Sequence, residues 1–230
     1  MDEVNENKGL KKKTLIKLLV ISVVLFFIVF GSLRLYRLTK VQGDTYEYAG
    51  PTGNFVFDVV ENDGIKQHIL KVYTYEQDGK QHEKVIPLRY GPKEMNDINA
   101  EKDIDNKLLL DPSKEDTLRT QIYITQDPAL IEASNRDSIV AGLEIMKVVG
   151  DYSFGIYKIP MKMAVLEKND SNMTVVTCKD VTHSTGVILI KFGSNNRIYS
   201  EEDCIVIEAT SNRDLIRVAD RLVLDLLGVF

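Results

Sequence analysis

The segment from residue 15 to residue 33, LIKLLVISVVLFFIVFGSL, contains a single charged side chain, Lys17, in nineteen residues. A helix rises about 1.5 Å per residue, so this length covers roughly the 30 Å hydrocarbon core of a bilayer. Lys17 lies near the start, where its ammonium can reach back to the lipid headgroups. A buried core helix is a second alternative, but the run is apolar on all sides of the helix, which we take to favour a membrane span. We therefore predict a transmembrane helix over residues 15–33.

A cleaved secretory signal is the main alternative for this segment. Residues 11–13 supply a basic flank, and Val-Phe-Gly at 29–31 is an acceptable cleavage site. The apolar run is longer than that of most signals, however, and Arg34, Arg37 and Lys40 follow it closely. These flanking charges favour an anchor that is retained.

The orientation is predicted from charges and cysteines. Five Lys residues precede or open the segment, whereas three Lys or Arg follow it, which places the N-terminus in the cytoplasm. Both cysteines, Cys178 and Cys204, lie in the C-terminal part, as do two glycosylation sequons at Asn169 and Asn172. We expect residues 41–230 outside the cell membrane.

Charge also divides at the predicted membrane. Residues 1–40 contain eight Lys or Arg and three Asp or Glu, and the rest contains 21 basic and 31 acidic residues. An acidic outer domain repels nucleic acid and anionic lipid, so neither is an expected partner of that domain. The excess negative charge also keeps such a domain soluble.

The predicted fold class is α+β, with an N-terminal transmembrane helix. We expect a cytoplasmic tail at 1–14, a juxtamembrane linker at 34–43 and an extracytoplasmic domain at 44–230. Candidate subdomains are 44–90 and 119–230, joined by the polar connection 91–118.

The front half predicts β-hairpins. Two β-rich runs flank Asp78-Gly79, a dipeptide typical of a two-residue type I′ turn. That turn would place Val72 opposite Val85 and Tyr73 opposite Lys84, with apolar side chains on both faces. We therefore expect this hairpin to be covered on both sides.

The back half predicts alternating strands and helices. Strands are expected at 120–125, 174–178, 187–192 and 204–209, and helices from 127, over 135–149 and after Ser211. The helix at 135–149 should bury Ile139, Val140, Leu143, Met146 and Val149. In the final helix, periodicity places Asp214, Arg217, Asp220, Arg221 and Asp225 on the half away from the core, with Leu224 as the exception.

Cys178 and Cys204 are the strongest candidate pair of interacting residues. Each lies at the end of a predicted strand, so the two could meet across a sheet. A structural disulfide between them would stabilise the domain by about 3–4 kcal/mol. Free buried thiols, or a redox or metal site, are the alternatives, although the chain has no Cys-x-x-Cys.

Other candidate sites are weak. In the predicted register His68 and His82 point to opposite faces, and His183 lies in a polar loop beside Ser184. Asp97, Glu101, Asp103 and Asp105 alternate with other residues, and on one strand face they would form a Ca²⁺ candidate. A solvated edge strand explains the same pattern, and no other metal or cofactor is predicted.

Three runs are similar to stretches of uncharacterised, single-pass membrane-anchored proteins of small-genome archaea. They are YGPKEMNDI at 90–98, CIVIEA at 204–209 and ADRLVLDLLGV at 219–229. The resemblance implies an envelope location and an αβ ectodomain. It implies no activity and no site residues.

The leading expectation is a non-enzymatic binding or assembly module at the outer face of the membrane. Its expected partners are the bilayer, through residues 15–33, and another envelope protein. The alternatives are an envelope hydrolase with a site built from distant residues, and a structural subunit of a surface layer or secretion complex. A deep pocket with His183 or paired carboxylates would favour the hydrolase, and an exposed apolar patch would favour assembly.

Overall fold

The computed structural model describes residues 43–75, 79–114, 117–132, 136–150, 155–168 and 173–230, together with Val23, Phe26, Val29 and Phe30. Those last four residues are helical and exposed. The rest of the predicted transmembrane segment lies outside the described residues. Within the described residues, no helix combines the length and the apolar character needed to cross a bilayer. Residues 44–230 form one compact unit.

The front half of this unit is an antiparallel meander. Its strands are β1 (Thr45–Gly50), β2 (Gly53–Asn62), β3 (Ile65–Tyr75) and β4 (Gln81–Leu88), paired in chain order. Asp63 and Gly64 join β2 to β3 with φ angles of 49° and 76°. Two positive φ angles define the type I′ turn, so a two-residue Asp-Gly hairpin forms here.

The predicted register of the next hairpin is wrong by one residue. Val72 pairs with Lys84 and Tyr73 with Glu83, and five residues separate Tyr75 from its partner Gln81. The longer loop shifts β4, and a shift of one residue moves every side chain to the other face. The hairpin is consequently covered on one side, and its other side is open to solvent.

The polar stretch 91–118 contributes to the core. It contains a 3₁₀ helix (Pro92–Glu94), the short strand β5 (Asn99–Ala100) and helix α1 (Ile104–Leu109). Its apolar side chains are buried in the same cluster as the inner face of the meander and the helices that follow; they are Met95, Ile98, Ile104, Leu108 and Leu109. Residues 91–118 therefore connect both halves through one hydrophobic core.

The back half is built on a mixed sheet. Its six strands are β5 together with β6 (Gln121–Gln126), β7 (Met161–Val165), β8 (Thr185–Phe192), β9 (Arg197–Glu201) and β10 (Cys204–Ala209). Their order in the sheet is β5-β9-β10-β8-β6-β7. Strands β10, β8, β6 and β7 are parallel, whereas β9 runs antiparallel to β10. Helices α2 (Pro128–Glu132) and α3 (Arg136–Val149) connect β6 to β7.

The final helix, α4 (Asn212–Leu226), begins where the sequence predicts. The hydroxyl oxygen of Ser211 accepts the backbone N–H of Asp214, as an N-cap should. One side of α4 packs on β10, and Asp220 on another side binds backbone amides just after β4. The helix is therefore covered by both halves, and Ile216, Asp220 and Leu224 are buried as one i, i+4, i+8 row.

The predicted core stripe of α3 is only partly correct. Met146 and Val149 are buried, but Ile139 and Leu143 are 54% and 53% exposed. Ser138 and Glu144 are buried in their place. The stripe is rotated because α3 must face α4 and the mixed sheet at the same time.

The second face of the mixed sheet is covered by irregular chain. A small apolar cluster there contains Val176, Val187, Leu189 and Val206. Residues 174–178 do not form the predicted strand, since an isolated bridge joins Val175 to Val165 and a 3₁₀ helix follows over Cys178–Asp180. The predicted Cys178–Cys204 disulfide is present and fastens this segment to β10.

Candidate functional site

A cleft lies where the segment after β4 meets the start of α4. Its volume is about 320 Å³, and its lining side chains are Tyr90, Glu94, Arg213, Asp214 and Arg217. Arg213 and Arg217 are one turn apart on α4, so both point to the same side of the helix. The cleft is thus formed by a loop of the front half and a helix of the back half.

Arg217 is fully engaged by its neighbours. Its Nε donates to the backbone oxygen of Glu94 at 2.8 Å, and its two terminal nitrogens bind the carboxylates of Asp214 and Asp97. The side-chain hydrogen bonds from Arg217 hold the pKa of Asp97 below its usual value. Arg217 therefore ties the segment after β4 to α4.

The carboxylate of Glu94 contacts a buried histidine on the side away from the cleft. Its Oε2 accepts the N–H of Gly91 at 2.8 Å, and Nε2 of His68 lies 3.0 Å from the same oxygen. Nδ1 of His68 lies 2.8 Å from the hydroxyl of Tyr46. A neutral His68 with its proton on Nε2 fits both contacts, although Nε2–H is poorly aligned with Glu94.

The Tyr46–His68–Glu94 chain positions Glu94 and does not make Tyr46 a nucleophile. His68 is only 4% exposed, and burial lowers its pKa against the opposing effect of Glu94. Burial also raises the pKa of the Tyr46 hydroxyl, which is the opposite of activation. A Cβ on Gly91 would lie 2.4 Å from the Tyr46 hydroxyl oxygen, so this packing requires glycine.

Asp220 anchors the loop that carries Tyr90. This side chain is fully buried, and its Oδ2 accepts the backbone N–H groups of Arg89 and Tyr90, each at 2.9 Å. Burial, followed by the nearby Glu144 carboxylate, raises the pKa of Asp220 well above its usual value. The loop beside the cleft is therefore fixed to α4 by a buried acid.

A second cleft, of about 480 Å³, adjoins the first across the Arg217–Asp97 ion pair. Polar side chains line it: Asp97, Asn99, Ser194, Asn195, Asn196, Arg197 and Thr210. The loop between β8 and β9, which lines this cleft, is fixed by the buried side chain of Glu208. Glu208 accepts the backbone N–H groups of Ser194 and Asn195 at 3.1 and 3.2 Å, and it binds the guanidinium of Arg197 at 2.9 Å. Burial works to raise the pKa of Glu208, but these partners together hold it below its usual value.

The outer face of the meander carries several exposed apolar side chains. Val56, Tyr73, Tyr75 and Val85 are 50%, 57%, 76% and 44% exposed, and Ile65 is exposed on the same face. The observed register puts these side chains on the same side of the sheet, because paired residues point to one side, with Ile65 at the opposite end of β3 from Tyr73 and Tyr75. We call these five residues the open face.

The acidic residues of the Ca²⁺ candidate do not converge. Asp97 pairs with Arg217, and Glu101 binds Lys107 and the Ser200 N–H. Asp103 and Asp105 line a hollow together with Glu101, Arg221 and Asp225. Among the described residues, no three His, Cys, Asp or Glu side chains are close enough together to hold a metal ion.

The histidines are also far apart. The corrected register places His68 and His82 on the same face, but six residues apart along paired strands, or about 20 Å. The loop that contains His183 is held by Arg119, whose guanidinium donates to the backbone oxygens of Thr182, His183 and Thr185. Both predicted glycosylation sites, Asn169 and Asn172, lie outside the described residues.

Comparison with known proteins finds no matching family model, no matching characterised protein and no matching solved structure. The cleft residues must therefore be interpreted from their own chemistry. Sequence reasoning missed Glu94, Arg213 and Asp220 because they are separated along the chain and carry no recognisable motif. A short signal was present in Gly91-Pro92, which predicts the turn that directs Glu94 towards His68.

Proposed function

We propose that this protein is a membrane-anchored assembly module of the cell envelope. Residues 15–33 would hold it in the bilayer, and residues 44–230 would bind another envelope protein on the extracytoplasmic side. The observation that carries the proposal is the open face of the meander. Exposed apolar patches on otherwise polar domains commonly mark protein contacts.

The chemistry of the open face favours an uncharged partner surface. Lys71 lies 3.6 Å from Asp58 on this side of the sheet, and the hydroxyl of Tyr73 donates to Glu83 at 3.2 Å. Lys71 and Asp58 are thus paired within the sheet, and Glu83 accepts a hydrogen bond from Tyr73. Tyr73 and Tyr75 supply the large, weakly polar surfaces that are enriched at the centres of interfaces.

The disulfide supports the extracytoplasmic part of the proposal. Disulfides persist on the oxidising side of a membrane and are rare in the cytosol. The Cys178–Cys204 bond closes a separation of 26 residues beneath the mixed sheet. An outer location would keep this bond intact.

Site-specific photocrosslinking in native membranes tests the assembly proposal. A photoreactive phenylalanine analogue at position 73 or 75 should crosslink to one defined envelope protein. The same analogue at position 139 or 143 is the matched control, since Ile139 and Leu143 are equally exposed apolar side chains on α3. The substitution Val85→Glu should abolish the crosslink from position 73 without lowering the melting temperature.

Two outcomes would contradict the proposal. One is the absence of any defined crosslink from positions 73 and 75. The other is equal crosslinking from the α3 positions, which would mean that the open face has no special partner.

A further inference from the structure

The cleft beside Glu94 keeps two charges of opposite sign that its own contacts leave uncompensated. Arg217 is neutralised by Asp97 and Asp214. Asp214 also accepts the hydroxyls of Thr210 and Ser211 at the start of α4, where the helix dipole favours a negative charge. Glu94 and Arg213 are therefore the two charged side chains of the cleft without an ion-pair partner that neutralises them among the described residues.

Glu94 offers one free carboxylate oxygen. Both of its described contacts, with Gly91 and His68, are made by Oε2. Within the described residues Oε1 has no partner, and the side chain is 45% exposed. The buried histidine therefore orients a carboxylate that can still accept hydrogen bonds from the cleft.

Arg213 is positioned by Tyr90 and not by an acid. Its Nε donates to the Tyr90 hydroxyl at 3.1 Å. In the described part of the chain its two terminal nitrogens have no hydrogen-bond partner or ion pair. Arg213 is exposed, and Asp220 fixes the backbone of the Tyr90 to which it is hydrogen-bonded, so this guanidinium and the Glu94 carboxylate line one cleft.

We propose that this cleft binds a small zwitterion, either a free α-amino acid or a short peptide with both termini free. Its carboxylate would lie on Arg213 and its ammonium on Glu94. A simple anion would leave the charge of Glu94 uncompensated, and a simple cation would leave the charge of Arg213 uncompensated. A zwitterion can form charge-assisted hydrogen bonds with both side chains. The volume of about 320 Å³ is at the small end of ligand pockets.

This inference does not depend on the assembly proposal, because the cleft and the open face are formed by different residues. Isothermal titration calorimetry of the detergent-solubilised full-length chain tests it. The probes are alanine and dialanine, each compared with its N-acetylated and its C-terminally amidated form, at up to about 10 mM, the weak end of measurable affinity. Binding of alanine but not dialanine would identify a free amino acid as the ligand, and stronger binding of dialanine would identify a peptide.

Blocking either terminus should weaken binding at least about tenfold, since each block removes one charge-assisted contact. Arg213→Gln and Glu94→Gln should each weaken binding by a similar factor. The matched controls are Arg136→Gln and Glu47→Gln, which change exposed charges away from the cleft and should bind like the unmodified protein. Unchanged melting temperatures would show that the cleft variants are folded.

The proposal would be overturned if neither alanine nor dialanine binds. It would also be overturned if the blocked compounds bind as well as the zwitterions, or if the cleft variants and the controls behave alike. In each case the two charges would not recognise the ends of the ligand.

Discussion

At the scale of single residues, the most consequential side chain is a buried acid on a helix that looks amphipathic. Asp220 is fully buried, yet it satisfies two backbone N–H groups that would otherwise have no partner at the end of β4. Its Oδ1 has no hydrogen-bond partner in the described residues. An acid in this setting favours its protonated form, because burial penalises the charge more than two amides stabilise it.

We predict that Asp220 makes the domain less stable as the pH rises. Its folded pKa is raised above the usual 3.8, so folding takes up a proton between pH 3.8 and the folded pKa. The stability from this group is complete below that window and is lost as the pH increases through it. Asp220→Asn keeps an oxygen for both amides and removes the titration.

Urea unfolding between acidic and neutral pH measures this effect. The free energy of unfolding of Asp220→Asn relative to the unmodified protein should rise with pH across the window. Asp220→Ala should destabilise the protein by about 2 kcal/mol or more below this window, because two buried donors lose their acceptor, and the cost should shrink as the pH rises through the window. A constant difference between the Asn variant and the unmodified protein would refute the assignment.

At the scale of elements, the segment 173–184 replaces a helix as the cover of one sheet face. It contributes Val176 and Val181 to the small cluster, and the disulfide fixes it to the first residue of β10. Irregular chain makes few repeating hydrogen bonds, so a covalent link has a larger effect here than in a packed helix. We infer that this cover is the part of the domain most sensitive to reduction.

Reduction should destabilise the protein by about 3–4 kcal/mol in the chain-entropy description of a loop of this size. Hydrogen exchange should accelerate first over 173–184 and then in β8 and β10, whose Leu189 and Val206 lose their cover. The double variant Cys178→Ala and Cys204→Ala should reproduce the pattern without reductant. Equal acceleration throughout the meander β1–β4 would contradict this account.

At the scale of the whole molecule, the inner face of the meander, helices α3 and α4 and one face of the mixed sheet share a single core. Phe57, Leu88, Ile145, Leu222 and Ile205 all belong to it. Among the described residues, nothing covers the opposite side of the meander in this way, and its apolar side chains are exposed. This asymmetry gives the domain one side with exposed apolar side chains, on which the proposed assembly role depends.

We expect the full-length chain to sediment with membranes after cell lysis and to resist extraction at high pH. Both thiols should react with an alkylating reagent only after reduction. The variant Val24→Arg with Phe27→Arg should weaken membrane retention, because two charges at the centre of an apolar span are costly. Recovery of the unmodified chain in the aqueous fraction with freely alkylated cysteines would exclude the anchor and the outer location together.

Several elements follow from local signals that act within one segment. The α+β class, the final helix with its Ser211 cap and the disulfide are all confirmed. Asp-Gly predicts a two-residue turn, but the chain has two such dipeptides, and this turn forms at Asp63-Gly64. The second hairpin has a longer loop, which the sequence pattern does not distinguish.

The sequence by itself determined the α+β class, the final helix with its cap and the one long apolar segment, because these depend on side chains within a few residues of each other. Only the tertiary structure decided that Asp220 and Leu224 are buried while Ile139 and Leu143 are exposed. The periodicity of a sequence identifies one apolar face of a helix. How many sides of that helix are buried depends on how many other elements pack against it. For the same reason, the meeting of Glu94 with Arg213 required two distant segments to pack against one another.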